Sequence, residues 1–384
     1  MKKELELYIH IPFCVKKCDY CDFPSAPAGT EVKERYVDAL LEEIAGFEDP
    51  EKYQVVTVFF GGGTPSVLPE KEIGRIMNAL KKVFTFEKGA EITLEANPGT
   101  LTKEKLLYYR EIGINRLSMG LQSAKDEELK TLGRIHTFQE FLESFRLARE
   151  AGFDNLNVDL MSALPGQTEK SWEETLQKVV ELKPEHISAY SLIIEEGTPF
   201  YERYAEDVRL REEGELPKEL PSEETERQIY QRTEEILAEN GYLHYEISNY
   251  ALPGRECQHN IGYWQRRDYL GLGLSAATLL NPLRYKNTDK LEDYLNGDFS
   301  KKEFFVLTKD NQIEETMFLG LRMLQGVSKE KFRETFSCPV NVVYQRELKK
   351  LKEMELIEET NEVIRLTKRG IDVSNQVLAE FLLN

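Results

Sequence analysis

The chain has 384 residues, and 50 Lys and Arg against 68 Asp and Glu leave a net charge of −18 at pH 7. That length suits two or three domains of ~100–200 residues, or one large α/β domain with an appendage, around a sizeable core. The 41% hydrophobic and 31% charged residues, with no apolar run near the ~20 residues that span a bilayer, exclude an integral membrane protein, and the acidic surplus argues against a nucleic-acid partner.

The N-terminal Met-Lys-Lys-Glu-Leu-Glu has no apolar stretch of the secretory kind, so a cytoplasmic location is expected. Leu5–Ile11 is rich in β-branched and aromatic residues, and similar short runs follow at Val55–Phe60, Glu91–Glu95, Arg116–Met119, Asn155–Asp159 and His186–Ser191. Between them, Glu31–Phe47, Glu70–Val83, Lys103–Ile112, Phe138–Ala151 and Glu169–Leu182 carry helical periodicity. Such β/α alternation gives a parallel sheet with right-handed crossovers, either doubly wound or curled into a closed or partial barrel. Glu202–Glu226, acidic and interrupted by Pro217 and Pro221, reads as a surface connection leading to a helix over Glu224–Asn240. The aromatic, glycine-rich Gly241–Gly273 reads as a binding loop rather than further strands. From about Lys302 the pattern is helical, with Val342–Met354 running into a hairpin over Leu356–Leu366. This predicts a small C-terminal α+β module.

Three of the five cysteines, Cys14, Cys18 and Cys21, fall in one loop directly after the first strand, while Cys257 and Cys338 lie far away. Clustered thiols in a chain without a dispersed, even set point to metal rather than to disulfides. An iron–sulfur cluster and a structural zinc completed by His10 are both compatible with the spacing. No fourth cysteine is adjacent, since Phe23 stands two residues beyond Cys21. Gly61-Gly62-Gly63-Thr64-Pro65 follows the second strand, where glycines allow backbone amides close to a ligand. Glu95, Asn97, Gln122, Asp159 and Tyr190 end the later strands, and all fall on the carboxyl edge where active sites of parallel β/α folds form.

Cys-x3-Cys-x2-Cys with Tyr20 before the last cysteine, together with Gly-Gly-Gly-Thr-Pro, resembles the radical S-adenosylmethionine superfamily. Tyr8-Ile9-His10-Ile11-Pro12-Phe13-Cys14, Leu94–Pro98, Leu117–Ser123 and Leu132–His136 resemble the branch that holds oxygen-independent coproporphyrinogen III dehydrogenase and its relatives. The resemblance covers nearly the whole chain. It implies a partial (β/α)6 barrel with a small, winged-helix-like C-terminal α+β domain. The core would span 1–225, a connecting region 226–300 and the C-terminal domain 301–384. It further implies a [4Fe–4S] cluster on Cys14, Cys18 and Cys21, and an electron donor to that cluster. S-adenosylmethionine would lie on Tyr8, Tyr20, Gly62, Gly63, Thr64, Glu95, Gln122, Arg134 and Asp159, with amides of Gly63 and Thr64 among its contacts and Arg134 pairing with its carboxylate.

Within that branch, the short segment before Cys14, the Phe23 in place of a further cysteine and His259-Asn260-Ile261-Gly262-Tyr263-Trp264 resemble the heme-chaperone group rather than the dehydrogenase, which stays as the alternative. The resemblance implies heme bound by His259, Tyr263 and Trp264 and passed to an acceptor hemoprotein, with peripheral contact to membrane hemoproteins compatible. The residue types suit that chemistry, because neutral imidazole ligates heme iron and aromatic rings offer flat apolar walls. The run Gly271–Thr278 departs from the group by carrying Ala277 where a His is common, which removes a candidate second ligand. Cys257 reads as a buried thiol, and His10, His136, His186 and His244 as structural.

Overall fold

A computed structural model describes residues 2–383. Alternation along the strands decides which side chains build the core and which face the site. In β1 (Lys3–Ile11), Leu5, Leu7, Ile9 and Ile11 join the core, whereas Glu6, Tyr8 and His10 point the other way. The same period of two runs through β2 (Tyr53–Gly62), β3 (Thr85–Ala96), β4 (Arg116–Gln122), β5 (Leu156–Ser162) and β6 (His186–Ser191). Val58, Ile92, Leu117, Val158 and Ile187 pack outward in the core. On the opposite face Ser118 bonds Asp159, Asn157 bonds Ser118, and His186 bonds Asn157. Parallel sheets usually read apolar on both faces. A polar inner face marks the lumen as a place for ligands.

Strands β1 to β6 hydrogen-bond in chain order and all run parallel. The crossovers are α1 (Thr30–Ala45), α2 (Glu70–Val83), α3 (Lys103–Ile112), α4 (Asp126–Thr131) with α5 (Phe138–Glu150), and α6 (Glu169–Val180). A doubly wound sheet reverses its strand order at a switch point. Here there is no reversal, so the partial-barrel alternative holds. Local chemistry starts the crossover helices where the periodicity placed them: Thr137 and Glu140 form a capping box at α5, and Thr168 and Ser171 another at α6.

The acidic stretch after Pro199 is not the surface connection its composition suggested. It forms α7 (Pro199–Glu212) and the start of α8 (Glu223–Glu239). Phe200, Tyr204 and Leu210 lie at near-helical spacing, and Phe200 and Tyr204 pack with Leu220 against Leu132, Met161, Leu164 and Leu192. Buried Asp207 ties down the turn that follows by accepting backbone N–H bonds from Lys218, Glu219 and Leu220 at 2.8, 2.7 and 2.8 Å. Asp207→Ala is expected to cost on the order of 2 kcal/mol in chemical denaturation, because three donors lose a charged acceptor together. A cost near zero would return this turn to the status of a loose connection.

Gly241–Gly273 likewise proves regular. It holds β7 (Leu243–Glu246), β8 (Asn249–Ala251), α9 (Gln258–Trp264) and β9 (Tyr269–Leu272). β8 pairs antiparallel with β6, and β9 pairs parallel with β1. The strands β10 (Ala277–Leu280), β11 (Leu283–Asn287) and, after α10 (Leu291–Leu295), β12 (Lys301–Val306) continue beyond β9, so the sheet is extended past both edges of its parallel core. The module that follows has its own core: Ile313 and Met317 of α11 (Lys309–Gly320) pack with Phe332, Phe336, Tyr344 and Leu348 beside a three-stranded antiparallel sheet. The expected hairpin is present over Ile357–Glu359 and Val363–Leu366. Among the described residues no helix is long and apolar enough to cross a membrane.

Candidate functional site

The loop after β1 carries Cys14, Cys18 and Cys21 as free, half-buried thiols. Neighbouring elements pin it: Cys14 N–H donates to Ala26 O and Asp19 N–H to Leu132 O, both at 3.2 Å. Two donors aim at sulfur, Thr64 Oγ1 at Cys14 Sγ (3.5 Å) and Arg134 Nη1 at Cys18 Sγ (3.6 Å). A hydroxyl and a guanidinium beside sulfur are hydrogen bonds of the kind that stabilise sulfur-rich clusters. Among the described residues no three His, Cys, Asp or Glu side chains converge closely enough to hold a single metal ion. His10 does not complete a zinc site, because its Nδ1 meets Tyr8 Oη at 3.1 Å and its Nε2 faces the Pro24 carbonyl at 3.5 Å. A tetrahedral zinc needs all ligands on one centre at ~2–2.3 Å, whereas a multi-iron cluster spreads its thiolates. The donor set fits the cluster.

The glycine run works differently from its sequence reading. The amides of Gly63 and Thr64 are already used, donating at 2.8 Å to the carbonyls of Ile11 and Phe13. These bonds lock the start of the cysteine loop onto the end of β2, so the two amides do not face a ligand. The glycines serve close packing: Gly62 has φ +106° and a Cβ there would lie 2.4 Å from His10 Cε1, while a Cβ on Gly63 would lie 2.7 Å from Phe13 O.

The other expected residues gather around the lumen. Tyr8 and Glu95 both approach Gly61. Burial, reinforced by the nearby Asp159, pushes the Glu95 carboxyl up to about 8. Burial also raises Asp159, which accepts from Ser118 Oγ at 3.0 Å and Asn157 Nδ2 at 2.7 Å. Gln122 accepts from Tyr190 Oη at 3.1 Å. Tyr20 leans edge-on against Phe200. Among the described residues Arg134 has no carboxylate partner; its Nη2 donates to Asn97 Oδ1 at 2.7 Å and Gly120 O at 2.6 Å. A buried carboxyl and a guanidinium without a carboxylate partner suit a zwitterionic amino-acid ligand.

The segment 259–264 does not form one pocket. His259 on α9 is 1% exposed and turned into the barrel, its Nδ1 2.7 Å from Thr57 Oγ1, its Nε2 3.0 Å from Tyr263 Oη, its ring stacked on Phe59. Burial, with Arg116 and Arg267 nearby, lowers its pKa to about 3. The carboxylate of Glu91 caps this helix, accepting from the amides of Gln258 and His259. Trp264 faces the C-terminal module, with Arg322 4.3 Å above its ring. Tyr263 alone reaches a cavity of about 460 Å³, within the usual range for ligand pockets. Its walls include Tyr8, His10, Phe23, Ala277, Arg284 and Phe318. Both imidazole nitrogens of His259 are thus engaged inside the barrel, and Trp264 stands on the side of the C-terminal module.

Residues 8–179 match the model of the radical SAM superfamily, and residues 307–373 that of the HemN C-terminal domain. The chain is 38% identical over its full length to the heme chaperone HemW of Lactococcus lactis, covering 99% of that protein, and 37% identical to HemW of Bacillus subtilis, with 98% of each chain covered. The chain belongs to the HemW family. Beyond bacterial HemW, it is 31% identical to a zebrafish mitochondrial radical S-adenosyl methionine domain-containing protein 1, over 88% of this chain and 77% of that one. In three dimensions it is similar to the Escherichia coli coproporphyrinogen III oxidase HemN, with a TM-score of 0.83, 26% identity, and coverage of 99% and 90%. Membership of HemW leaves the cavity to be explained, since Arg284, Glu315 and Phe318 were not singled out from the sequence. Glu315–Arg322 stands at the entry of the C-terminal module. Nothing in it indicated that it faces Tyr8 across the cavity.

Proposed function

We propose that this chain is a cytoplasmic heme chaperone that carries one [4Fe–4S] cluster on Cys14, Cys18 and Cys21, binds S-adenosylmethionine, and passes heme to acceptor hemoproteins. Tyr8, Tyr20, Gly62, Gly63, Thr64, Glu95, Gln122, Arg134 and Asp159 are the proposed S-adenosylmethionine contacts. In that role Gly62 and Gly63 supply clearance and loop anchoring, Glu95 accepts from an ammonium or ribose hydroxyl, and Arg134 meets a carboxylate. A reduced cluster would supply an electron to the sulfonium. The observation that carries the reading is the adjacency of loop and cavity: Phe23 and Pro24, just past Cys21, are walls of the same aromatic cavity that Tyr263 lines. A flat apolar ligand there lies next to the cluster loop.

The test is anaerobic hemin titration of cluster-reconstituted protein, followed by mixing with apomyoglobin. The expected result is saturable one-to-one uptake and transfer faster than from free hemin aggregates. Coproporphyrinogen III consumed with release of 5′-deoxyadenosine, and no saturable hemin uptake, would instead establish the dehydrogenase alternative that the HemN-like fold accommodates.

A further inference from the structure

The imidazole of His259 is fixed by strand residues on most sides and by one ring that has room to turn on the other. Thr57 Oγ1 lies 2.7 Å from its Nδ1, the Phe59 ring stacks on it with centroids 5.0 Å apart, and Glu91 accepts from its backbone amide at 3.2 Å. Thr57 and Glu91 are direct partners in the β2–β3 register, so this side of the site is held by the sheet. The remaining nitrogen, Nε2, meets the Tyr263 hydroxyl at 3.0 Å, with the two rings edge-on at 4.7 Å. Their i, i+4 spacing on α9 puts both on one face of the helix. Of these four neighbours only Tyr263 also walls the cavity of about 460 Å³, beside Tyr8, Tyr269 and Leu279. Its ring therefore has open volume to turn into, which the strand residues lack. Burial, with Arg116 and Arg267 nearby, keeps the imidazole neutral. A neutral ring with one nitrogen on an orienting partner and a lone pair on the other is the form that ligates iron.

We infer that Tyr263 is a gate: in the heme-free chain its hydroxyl donates to His259 Nε2 and holds the place that heme iron takes once the ring turns into the cavity. The inference rests on the heme-binding reading above, with His259 as the axial ligand and Thr57 as its positioning residue. No proton has to leave the site. Nδ1–H stays on Thr57 Oγ1, the Nε2 lone pair exchanges an O–H donor for iron, and the freed Tyr263 hydroxyl bonds water in the cavity. Such an exchange suits a carrier that must give up its cargo. Because the hydroxyl returns to Nε2 as heme departs, the buried nitrogen is not stranded without a partner, and release avoids that desolvation cost.

The experiment is hemin titration of the full, cluster-reconstituted chain, read by affinity, by Soret position and by the low-temperature electron paramagnetic resonance of ferric heme, and followed by transfer to apomyoglobin. Tyr263→Phe keeps the ring and deletes only the hydroxyl. It should bind hemin about tenfold tighter, the equilibrium worth of one hydrogen bond to a buried nitrogen, and transfer it more slowly, with the wild-type Soret and resonance signature. Thr57→Val keeps the volume and deletes the partner of Nδ1, and should weaken hemin about tenfold, the usual scale for losing the group behind a metal ligand. His259→Ala should lose the wild-type signature, with cluster absorbance retained in all three variants. Affinity unchanged or weaker in Tyr263→Phe, or a signature altered by it, would mean that the hydroxyl is idle or touches heme itself, and would overturn the gate while the chaperone reading stands. A wild-type signature that survives His259→Ala would do the same. Absence of saturable uptake by the wild-type chain would overturn the chaperone reading and the gate with it.

Discussion

Serine at any one of Cys14, Cys18 or Cys21 is expected to abolish the visible absorption and acid-labile sulfide of the reconstituted protein, whereas serine at Cys257 or Cys338 leaves both intact. Of the loop thiols, Cys14 lies beside the Thr64 hydroxyl and Cys18 beside the Arg134 guanidinium, and Cys21 shares their loop. Cys257 is fully buried, and desolvation pushes its thiol up to about 12, with Glu91 Oε1 only 3.6 Å from its sulfur. A thiol held protonated in that way does not ligate metal. Cys338 lies at the edge of the C-terminal core, among residues that pack around Phe332 and Phe336. With three loop thiols and no fourth beside them, a [4Fe–4S] cluster held here would leave one iron for an exogenous ligand. Iron and sulfide counts, taken after anaerobic reconstitution of each variant, check this. Wild-type sulfide content in Cys18→Ser, or stoichiometric zinc without sulfide in the wild type, would remove the cluster assignment.

A serine at Cys18 also reports on Arg134. In the wild type its guanidinium bridges Cys18, Asn97 and the Gly120 carbonyl, so the cysteine loop is tied to the ends of β3 and β4. Loss of the cluster without loss of fold is therefore expected, because the Asn97 and Gly120 bonds persist. A far-ultraviolet spectrum unchanged from wild type separates the two outcomes.

The parts of the fold that could be read from sequence were those with a local period. In β1 the alternation of Leu5, Leu7, Ile9 and Ile11 with Glu6, Tyr8 and His10 states both strand and facing. The cysteine spacing likewise states a loop chemistry within eight residues. Where a signal was diluted, it was missed: the stripe of Phe200, Tyr204 and Leu210 lies among so many Glu and Arg that α7 looked like a linker. Where the decisive partner is distant in sequence, no local pattern exists. Thr57 binds His259 across 202 positions, and only the tertiary arrangement turns that imidazole inward. The Gly63 and Thr64 amides show the same limit, because their acceptors at Ile11 and Phe13 become visible only when β1 and β2 are side by side.

Glu315→Ala is expected to cost about 3–5 kcal/mol, the usual consequence of leaving a buried ion without its partner. Arg266 carries the penalty: its side chain is 6% exposed, and apart from Glu315 its guanidinium bonds only Asn281 Oδ1, at 2.9 Å. Arg284 is partly solvated and loses less. Because Arg266 follows α9 and Glu315 lies on α11, the pair joins the barrel side to the C-terminal module, and its loss should loosen that contact before it unfolds either core. Limited proteolysis near Leu307 would then accelerate in step with the lost stability. The double variant Arg266→Met with Glu315→Ala removes the stranded charge and should recover much of the loss, since a buried pair replaced by apolar groups is often near neutral. Urea denaturation of the wild type, the two single variants and the double variant closes this cycle. A Glu315→Ala cost below about 1 kcal/mol, the range of solvent-exposed pairs, would mean that Arg266 reaches water and that the pair does not join the two parts.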